Sequence, residues 1–184
     1  MNKILIADDD RLVLLTLADG LREAGFEVVE ASDGMQALAA CQDEAPALAL
    51  LDIRMPGLDG LELARRLRDE TAVPFLFLSA YNDEPFVQRA AQIGALGYLV
   101  KPLTVAAMLP MIRTALARAN EINGLRGAMN SNRTIATAVG MLMRDQGADQ
   151  TSAFEQLRQR ARDQRRKLVD LAREMVEAGL LSKP

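Results

Sequence analysis

Five short apolar runs recur along the first hundred residues, at 3–7, 26–30, 47–51, 73–78 and 96–100, each of strand length and each separated by a helix-length pattern. Those patterns fall near 11–24, 33–44, 60–70 and 83–93, with apolar residues at three- and four-residue spacing. Strands alternating with helices are βαβ units, and repeated βαβ units build a parallel sheet covered on both faces. The runs Leu48–Leu51 and Phe75–Leu78 are apolar throughout, as strands buried on both faces must be. Asp10, Asp33 and Asp83 stand where helix N-caps are wanted, and Gly25 and Gly94 where helices should stop. The fold class read from this pattern is α/β, a doubly wound five-stranded parallel sheet of about 120 residues.

Polar chemistry sits where the runs end. The first closes on Asp8-Asp9-Asp10, the third on Asp52, the fourth on Ser79 and the fifth on Lys101-Pro102. In open parallel sheets, ligands bind beyond the carboxyl ends of the strands, where strand order reverses. These residues should therefore converge on one acidic pocket with a lysine beside it. Clustered carboxylates repel unless a cation neutralises them, and a hard ion with oxygen ligands, Mg2+, fits. Asp8 and Asp9 are candidate ligands, and Asp52 is both ligand and nucleophile toward phosphorus. Lys101 would neutralise charge on a transferring phosphoryl group, and Ser79 could hydrogen-bond one of its oxygens.

Composition removes several alternatives. Histidine is absent, which excludes His-based acid–base catalysis and His-ligated zinc, and the single cysteine, Cys41, cannot form a disulfide within the chain. The N-terminus has no secretory pattern and no apolar stretch approaches a membrane span, so a soluble, cytoplasmic protein with no membrane partner is expected. Charge is uneven. Residues 1–123 carry 11 Lys and Arg against 18 Asp and Glu, whereas residues 124–184 carry 11 against 7. An acidic front and a basic back suggest two units with different partners, the second a nucleic-acid candidate or simply an Arg-rich solvated surface.

From Thr104 the pattern is helical, with Pro110 expected to bend the first turns. Heptads through Val105, Met108, Ile112, Ala115, Ala119, Ile122, Arg126 and Met129 would support a dimerising coiled coil. The alternative is a single helix packed on its own domain, since Gly124 and Gly127 weaken the seam. Three further amphipathic patterns follow Asn130: Ile135 to Met143; Ala153, Phe154, Leu157 and Ala161, capped by Asp149; and Leu168 to Val176, ending at Gly179. They predict a small three-helix bundle. Phe154, its one aromatic, is read as core, which excludes an aromatic RNA-binding sheet.

The front of the chain resembles the response-regulator receiver family of two-component signalling. The resemblance rests on Asp8-Asp9, on Leu51-Asp52-Ile53-Arg54-Met55-Pro56-Gly57 with Asp59-Gly60, on Leu78-Ser79-Ala80, and on Gly97-Tyr98-Leu99-Val100-Lys101-Pro102. It implies a flavodoxin-like sheet and a sensor histidine kinase as phosphoryl donor, with no separate catalytic output. It also implies that Asp52 is the phospho-acceptor, and that Asp9, Asp52 and the Arg54 carbonyl bind Mg2+ with Asp8 assisting through water. Ser79 and Tyr98 would be the switch pair, Lys101 the phosphoryl contact, and the Lys101–Pro102 bond cis. The tail is similar to the ANTAR antiterminator module in Asn132-Arg133, Ile135, Ala138-Val139-Gly140-Met141-Leu142-Met143, Gly147, Ala153-Phe154, Leu157-Arg158, Ala161, Lys167-Leu168 and Leu171-Ala172. One departure is Val139, where that family commonly has Lys.

These resemblances imply a receiver at 1–120, a helical linker at 121–130 and an RNA-binding bundle at 131–184. The implied function is phosphorylation-dependent antitermination through hairpins in nascent transcripts such as mRNA leaders. Arg133, Arg158, Arg162, Arg165, Arg166 and Lys167 are the candidate RNA contacts, because Arg and Lys neutralise phosphates and Arg can stack on splayed bases. A homodimer through the 105–129 helix would let two bundles act together. The rival readings are a DNA-binding transcription factor, with Gln150, Thr151 and Ser152 opening a recognition helix, and a receiver acting through protein contacts alone.

Overall fold

The structure, a computed structural model, describes residues 1–80 and 84–181, with backbone alone at 84–87 and 179–181. The expected cap at Asp83 lies outside the described residues. The chain divides into two compact units, Met1–Glu121 and Ile122–Pro184.

In the first unit, β1 (Lys3–Ala7), β2 (Glu27–Ala31), β3 (Leu48–Asp52), β4 (Phe75–Ser79) and β5 (Tyr98–Val100) form one parallel sheet in the order β2-β1-β3-β4-β5. Helices α1 (Arg11–Glu23), α2 (Gly34–Glu44), α3 (Gly60–Glu70) and α4 (Glu84–Ile93) make the crossovers. Strand order reverses between β1 and β3, whose register pairs Ala7 with Leu51. Period-two alternation splits the core into two layers. Leu5, Ala7, Leu51 and Phe77 pack against residues of α2, α3 and α4, while Ile4, Ile6, Leu50 and Leu78 pack against α1 and the helix that follows β5. The fourth strand starts at Phe75 rather than Val73, because Pro74 has no N–H to give the ladder; its carbonyl still accepts from the Ala49 N–H at 2.9 Å.

Side-chain caps set the helix starts. The Asp10 carboxylate accepts from the Leu12 and Val13 N–H groups, and the Asp33 carboxylate from that of Gln36. Helices α1 and α4 close with Gly25 and Gly94 at positive φ, each followed by the paired backbone bonds of a Schellman motif.

α5 (Val105–Gln146) is one helix of 42 residues, unbroken at Pro110. The segment expected as a linker and the first helix of the bundle are therefore parts of a single element. The heptad reading also changes. Met108, Ile112, Ala115 and Ala119 are buried, and the first three belong to the layer built with Leu14 and Leu17. The first half of the seam covers its own sheet and is not open to a second chain. Downstream, Leu125 and Met129 are exposed.

The second unit packs the end of α5 with α6 (Gln150–Asp163) and α7 (Leu168–Leu181). Ala138, Leu142, Ala153, Leu157, Ala161, Leu171 and Ala172 form its core. Helix α7 continues past Gly179 to Leu181, where the sequence pattern ends it earlier. Phe154 is not core: it is 37% exposed. Ala153, Leu157 and Ala161 hold the inward stripe at four-residue spacing, and a residue next to one of them is turned ~100° off that face.

Candidate functional site

The three aspartates after β1 divide their work. The Asp8 N–H donates to the Ala31 carbonyl, 3.1 Å, which keeps the strand end in register and turns its side chain inward, 1% exposed. Asp10 caps α1 and also donates its own N–H to Asp8 Oδ1, 3.0 Å. Asp9, between them, is exposed. Across the switch point Asp52 ends β3, with Oδ2 accepting from the Arg54 N–H at 2.7 Å. Gly60 sits against this strand end so closely that a Cβ would overlap the Asp52 carbonyl, so α3 can start there only with glycine.

Lys101 follows β5, tied in place by its N–H donating to the Ser79 carbonyl at 2.8 Å. Its Nζ reaches both buried carboxylates, 2.7 Å to Asp8 Oδ2 and 2.5 Å to Asp52 Oδ1. Burial pushes the Asp8 carboxyl above its ordinary pKa, and the hydrogen bonds from Lys101 and the Asp10 N–H only partly offset this. For Lys101 burial works against the ammonium, but the hydrogen bonds to Asp52 and then Asp8 outweigh it and hold its pKa above the ordinary value.

Oxygens of Asp8, Asp9 and Asp52 lie within 4.8 Å of one another. Three carboxylates and one ammonium leave a net −2 when all are ionised, which one divalent cation would neutralise, and an all-oxygen donor set suits Mg2+. These residues fit the ion. The cleft they share, of about 240 Å3, is also lined by Ile53, Arg54 and Ala80.

Ser79 and Tyr98 are not in that lining. Ser79 is buried at the end of β4, one residue before Ala80. Parallel register sets Tyr98 beside Phe77 and Val100 beside Ser79, so Tyr98 and Ser79 share one face of the sheet, two residues apart along the strands. Tyr98 is half-buried against the α2–α4 layer. The Lys101–Pro102 peptide is cis.

On the second unit all six candidate contacts are exposed. Arg158 pairs with Glu155 at 3.1 Å and Arg166 with Glu174 at 2.5 Å. Arg133, Arg162, Arg165 and Lys167 make no ion pair among the described residues. Asp163 accepts a hydrogen bond from Gln159, and Asp170 pairs with Arg173. Arg165 carries a feature the sequence gives no sign of. It closes α6 at φ +52°, with its N–H donating to the Arg162 carbonyl and that of Arg166 to the Ala161 carbonyl, 3.0 and 2.9 Å. This is the Schellman motif of α1 and α4, but with arginine where those helices use glycine. Val139, at the position where ANTAR sequences commonly have Lys, is buried in the bundle core. Among the described residues, no helix is long and apolar enough to cross a membrane.

A family model described as the response regulator receiver domain matches residues 4–113, and the ANTAR domain model matches residues 123–176. The transcriptional regulatory protein PdtaR of Mycobacterium tuberculosis is 32% identical over 183 residues, covering 95% of this chain and 89% of PdtaR. Among solved structures, the chemotaxis protein CheY4 of Vibrio cholerae is similar with a TM-score of 0.59 at 30% identity, over 62% of this chain and 98% of that one. The receiver domain of the response regulator NarL from Mycobacterium tuberculosis is similar with a TM-score of 0.58 at 34% identity, over 65% and 96% of the two chains.

Proposed function

Because the chain belongs to the response-regulator receiver family and carries an ANTAR domain, we propose that it is a phosphorylation-controlled antiterminator acting on RNA hairpins in nascent transcripts. The observation that carries the receiver half is the Lys101 ammonium bridging Asp8 and Asp52 at adjoining strand ends, with Asp9 beside them.

In this reading an Asp52 carboxylate oxygen attacks phosphorus of a phosphohistidine on a sensor kinase. The O–P bond forms, the P–N bond breaks, and the departing imidazole takes a proton from solvent. Both Asp52 oxygens already have donors, Lys101 on Oδ1 and the Arg54 N–H on Oδ2. The Arg54 N–H holds the carboxylate's orientation, while the mobile ammonium of Lys101 moves from the attacking carboxylate to a phosphoryl oxygen. Asp8, Asp9, Asp52 and the Arg54 carbonyl would hold Mg2+, which supplies positive charge to the transferring group when bound. Ser79 then donates to a phosphoryl oxygen, and Tyr98, on the same sheet face, follows it inward. Accepting the phosphoryl group is the chain's one group-transfer step in this reading, and its output is binding.

The output is RNA held by the exposed cations of the second unit, in the cytoplasm, where transcripts emerge. Stabilising a hairpin keeps its strands from entering a terminator. A homodimer would use only the second half of the 105–129 seam, Ile122 to Met129, since the first half is buried on the sheet. The test compares wild type with Asp52→Asn, each treated with acetyl phosphate and Mg2+, reading intact mass and affinity for hairpin RNA and duplex DNA at matched salt. Wild type should gain one phosphoryl group and bind hairpin RNA more tightly, with Asp52→Asn doing neither. Undiminished labelling of Asp52→Asn would remove the acceptor assignment, and a preference for duplex DNA would favour the transcription-factor reading.

A further inference from the structure

Between the last turns of α5 and the start of α6 lies an open groove of about 510 Å3, and Phe154 stands on its wall, 37% exposed. An exposed phenylalanine in so small a bundle needs an explanation, because Ala153, Leu157 and Ala161 already fill the inward face of α6. Gly140, on the opposite wall, needs one too. Its backbone is ordinary helix, where glycine is the weakest choice after proline. Apart from its chain neighbours and its own helix backbone, no atom lies within 4 Å of where its Cβ would be, so tertiary packing does not require glycine either. Gly140 leaves that wall of the groove without a side chain.

The lining chemistry narrows what enters. Val139 and Ile135 form an apolar floor, while Asn132, Gln150 and Thr151 offer hydrogen-bond donors and acceptors at the edges. Among the described residues no lining side chain is charged. Charge comes just beyond. Arg133 continues the stripe of Ala136 and Gly140 one turn back along α5 at three- and four-residue spacing, and it makes no ion pair among the described residues. Arg158 lies one turn beyond Phe154 on α6. A flat group with polar edges, attached to an anionic backbone, matches this arrangement better than an apolar side chain does.

We propose that this groove is a nucleobase subsite, taking one unpaired base of the bound RNA stacked on Phe154, with its phosphate toward Arg133. The inference rests on the RNA-binding reading above and adds how a base, rather than the phosphate chain alone, is held. Stacking on an aromatic ring tolerates any base, so the amide groups of Asn132 and Gln150 would supply whatever discrimination exists.

The test uses the full chain. A hairpin is selected on wild type from a library with a randomised loop, and 2-aminopurine then replaces each loop base in turn. Gly140→Leu fills the groove, Phe154→Ala removes the platform, and Phe154→Tyr preserves it. Gly140→Leu and Phe154→Ala should each weaken hairpin affinity roughly 10- to 100-fold. Phe154→Tyr should bind like wild type. One loop position should show 2-aminopurine quenching that Phe154→Ala abolishes. Circular dichroism and sedimentation of every variant should match wild type, with Gly140→Leu melting no lower, since it replaces a helical glycine. If selection yields no hairpin that wild type prefers to duplex DNA, the RNA reading fails and the subsite with it. If a hairpin is bound but Gly140→Leu and Phe154→Ala hold it within twofold of wild type, the subsite alone is wrong. Altered sedimentation with unaltered RNA affinity would instead assign the groove to a contact between copies of this chain.

Discussion

The receiver pocket and the basic surface of the bundle both handle phosphate in the proposed reading, yet they are built in opposite ways. The pocket forces a few charges together where they are costly: Asp8 is 1% exposed, and both it and Asp52 depend on one ammonium. The bundle spreads its cations over an exposed surface, and among the described residues Arg133, Arg162, Arg165 and Lys167 make no ion pair. Bond-making chemistry needs atoms held within an ångström, which only buried, cross-braced strand ends provide. Attraction to a polyanion is long-ranged and tolerant of position, so solvated side chains suffice. One substitution should therefore abolish the first function, while the second should erode by steps.

Two phenylalanines give the largest contrast. Phe77 is fully buried in the sheet and lies edge-on to Phe75 with centroids 5.6 Å apart. Phe77→Ala should cost about 3–5 kcal/mol of receiver stability in urea denaturation. Phe154→Ala should cost under about 1 kcal/mol in the same assay. Equal losses would mean that the groove wall is core after all.

Ion pairs come next. Lys101→Met leaves Asp8 and Asp52 facing each other without their cation, and should lower receiver stability by roughly 3 kcal/mol in EDTA. Added Mg2+ should recover much of that loss. Arg166→Met breaks a pair with Glu174 that is largely exposed, and should cost under ~1 kcal/mol. Differential scanning calorimetry with and without Mg2+ reads both, and a Lys101→Met protein indifferent to Mg2+ would argue against the cation site.

A finer comparison uses two residues held at positive φ, Ala45 at the end of α2 and Arg165 at the end of α6. Replacing either with glycine relieves a left-handed backbone and should raise stability by about 0.5–1 kcal/mol. Only Arg165→Gly should also weaken RNA binding, lowering the log–log salt slope by about 0.7 for one lost phosphate contact. A variant that is more stable and binds worse would show that strain at α6 is kept for the sake of the arginine. Unchanged RNA affinity would move the contact elsewhere.

The smallest signal isolates the receiver from the bundle. Burial pushes the Cys41 thiol up to about 12, so at pH 8 only about one molecule in 10⁴ is thiolate. Iodoacetamide should label native protein only as fast as the receiver opens, and the bundle, with no cysteine, cannot contribute. Rapid labelling of native chain would mean that the layer between α2 and the sheet is looser than Phe77 and Leu51 make it.

Much of the first unit is legible in the chain itself. The first strand runs over residues 3–7 as its apolar run does, the caps Asp10 and Asp33 act where they stand, and Asp8, Asp9, Asp52 and Lys101 meet. Strand-end chemistry is readable because a parallel sheet brings every carboxyl end to one edge, whatever the details of packing. Less was legible in α5 and the bundle. A stripe such as Met108, Ile112, Ala115 and Ala119 declares that one helix face is buried, but a sheet and a partner helix satisfy it equally. Phe154 reads as core for the same reason, since its neighbour Ala153 is.

Sequence by itself determined the order of elements, the parallel sheet and the set of groups at its edge, because local periodicity, caps and strand-end position are short-range properties of the chain. Tertiary structure alone decided which surface each apolar face meets, that Phe154 stands exposed beside the bundle core, and that Arg165 adopts a left-handed cap. Those outcomes depend on competition among distant contacts for the same surface, and a one-dimensional pattern records that a face is apolar without recording what wins it.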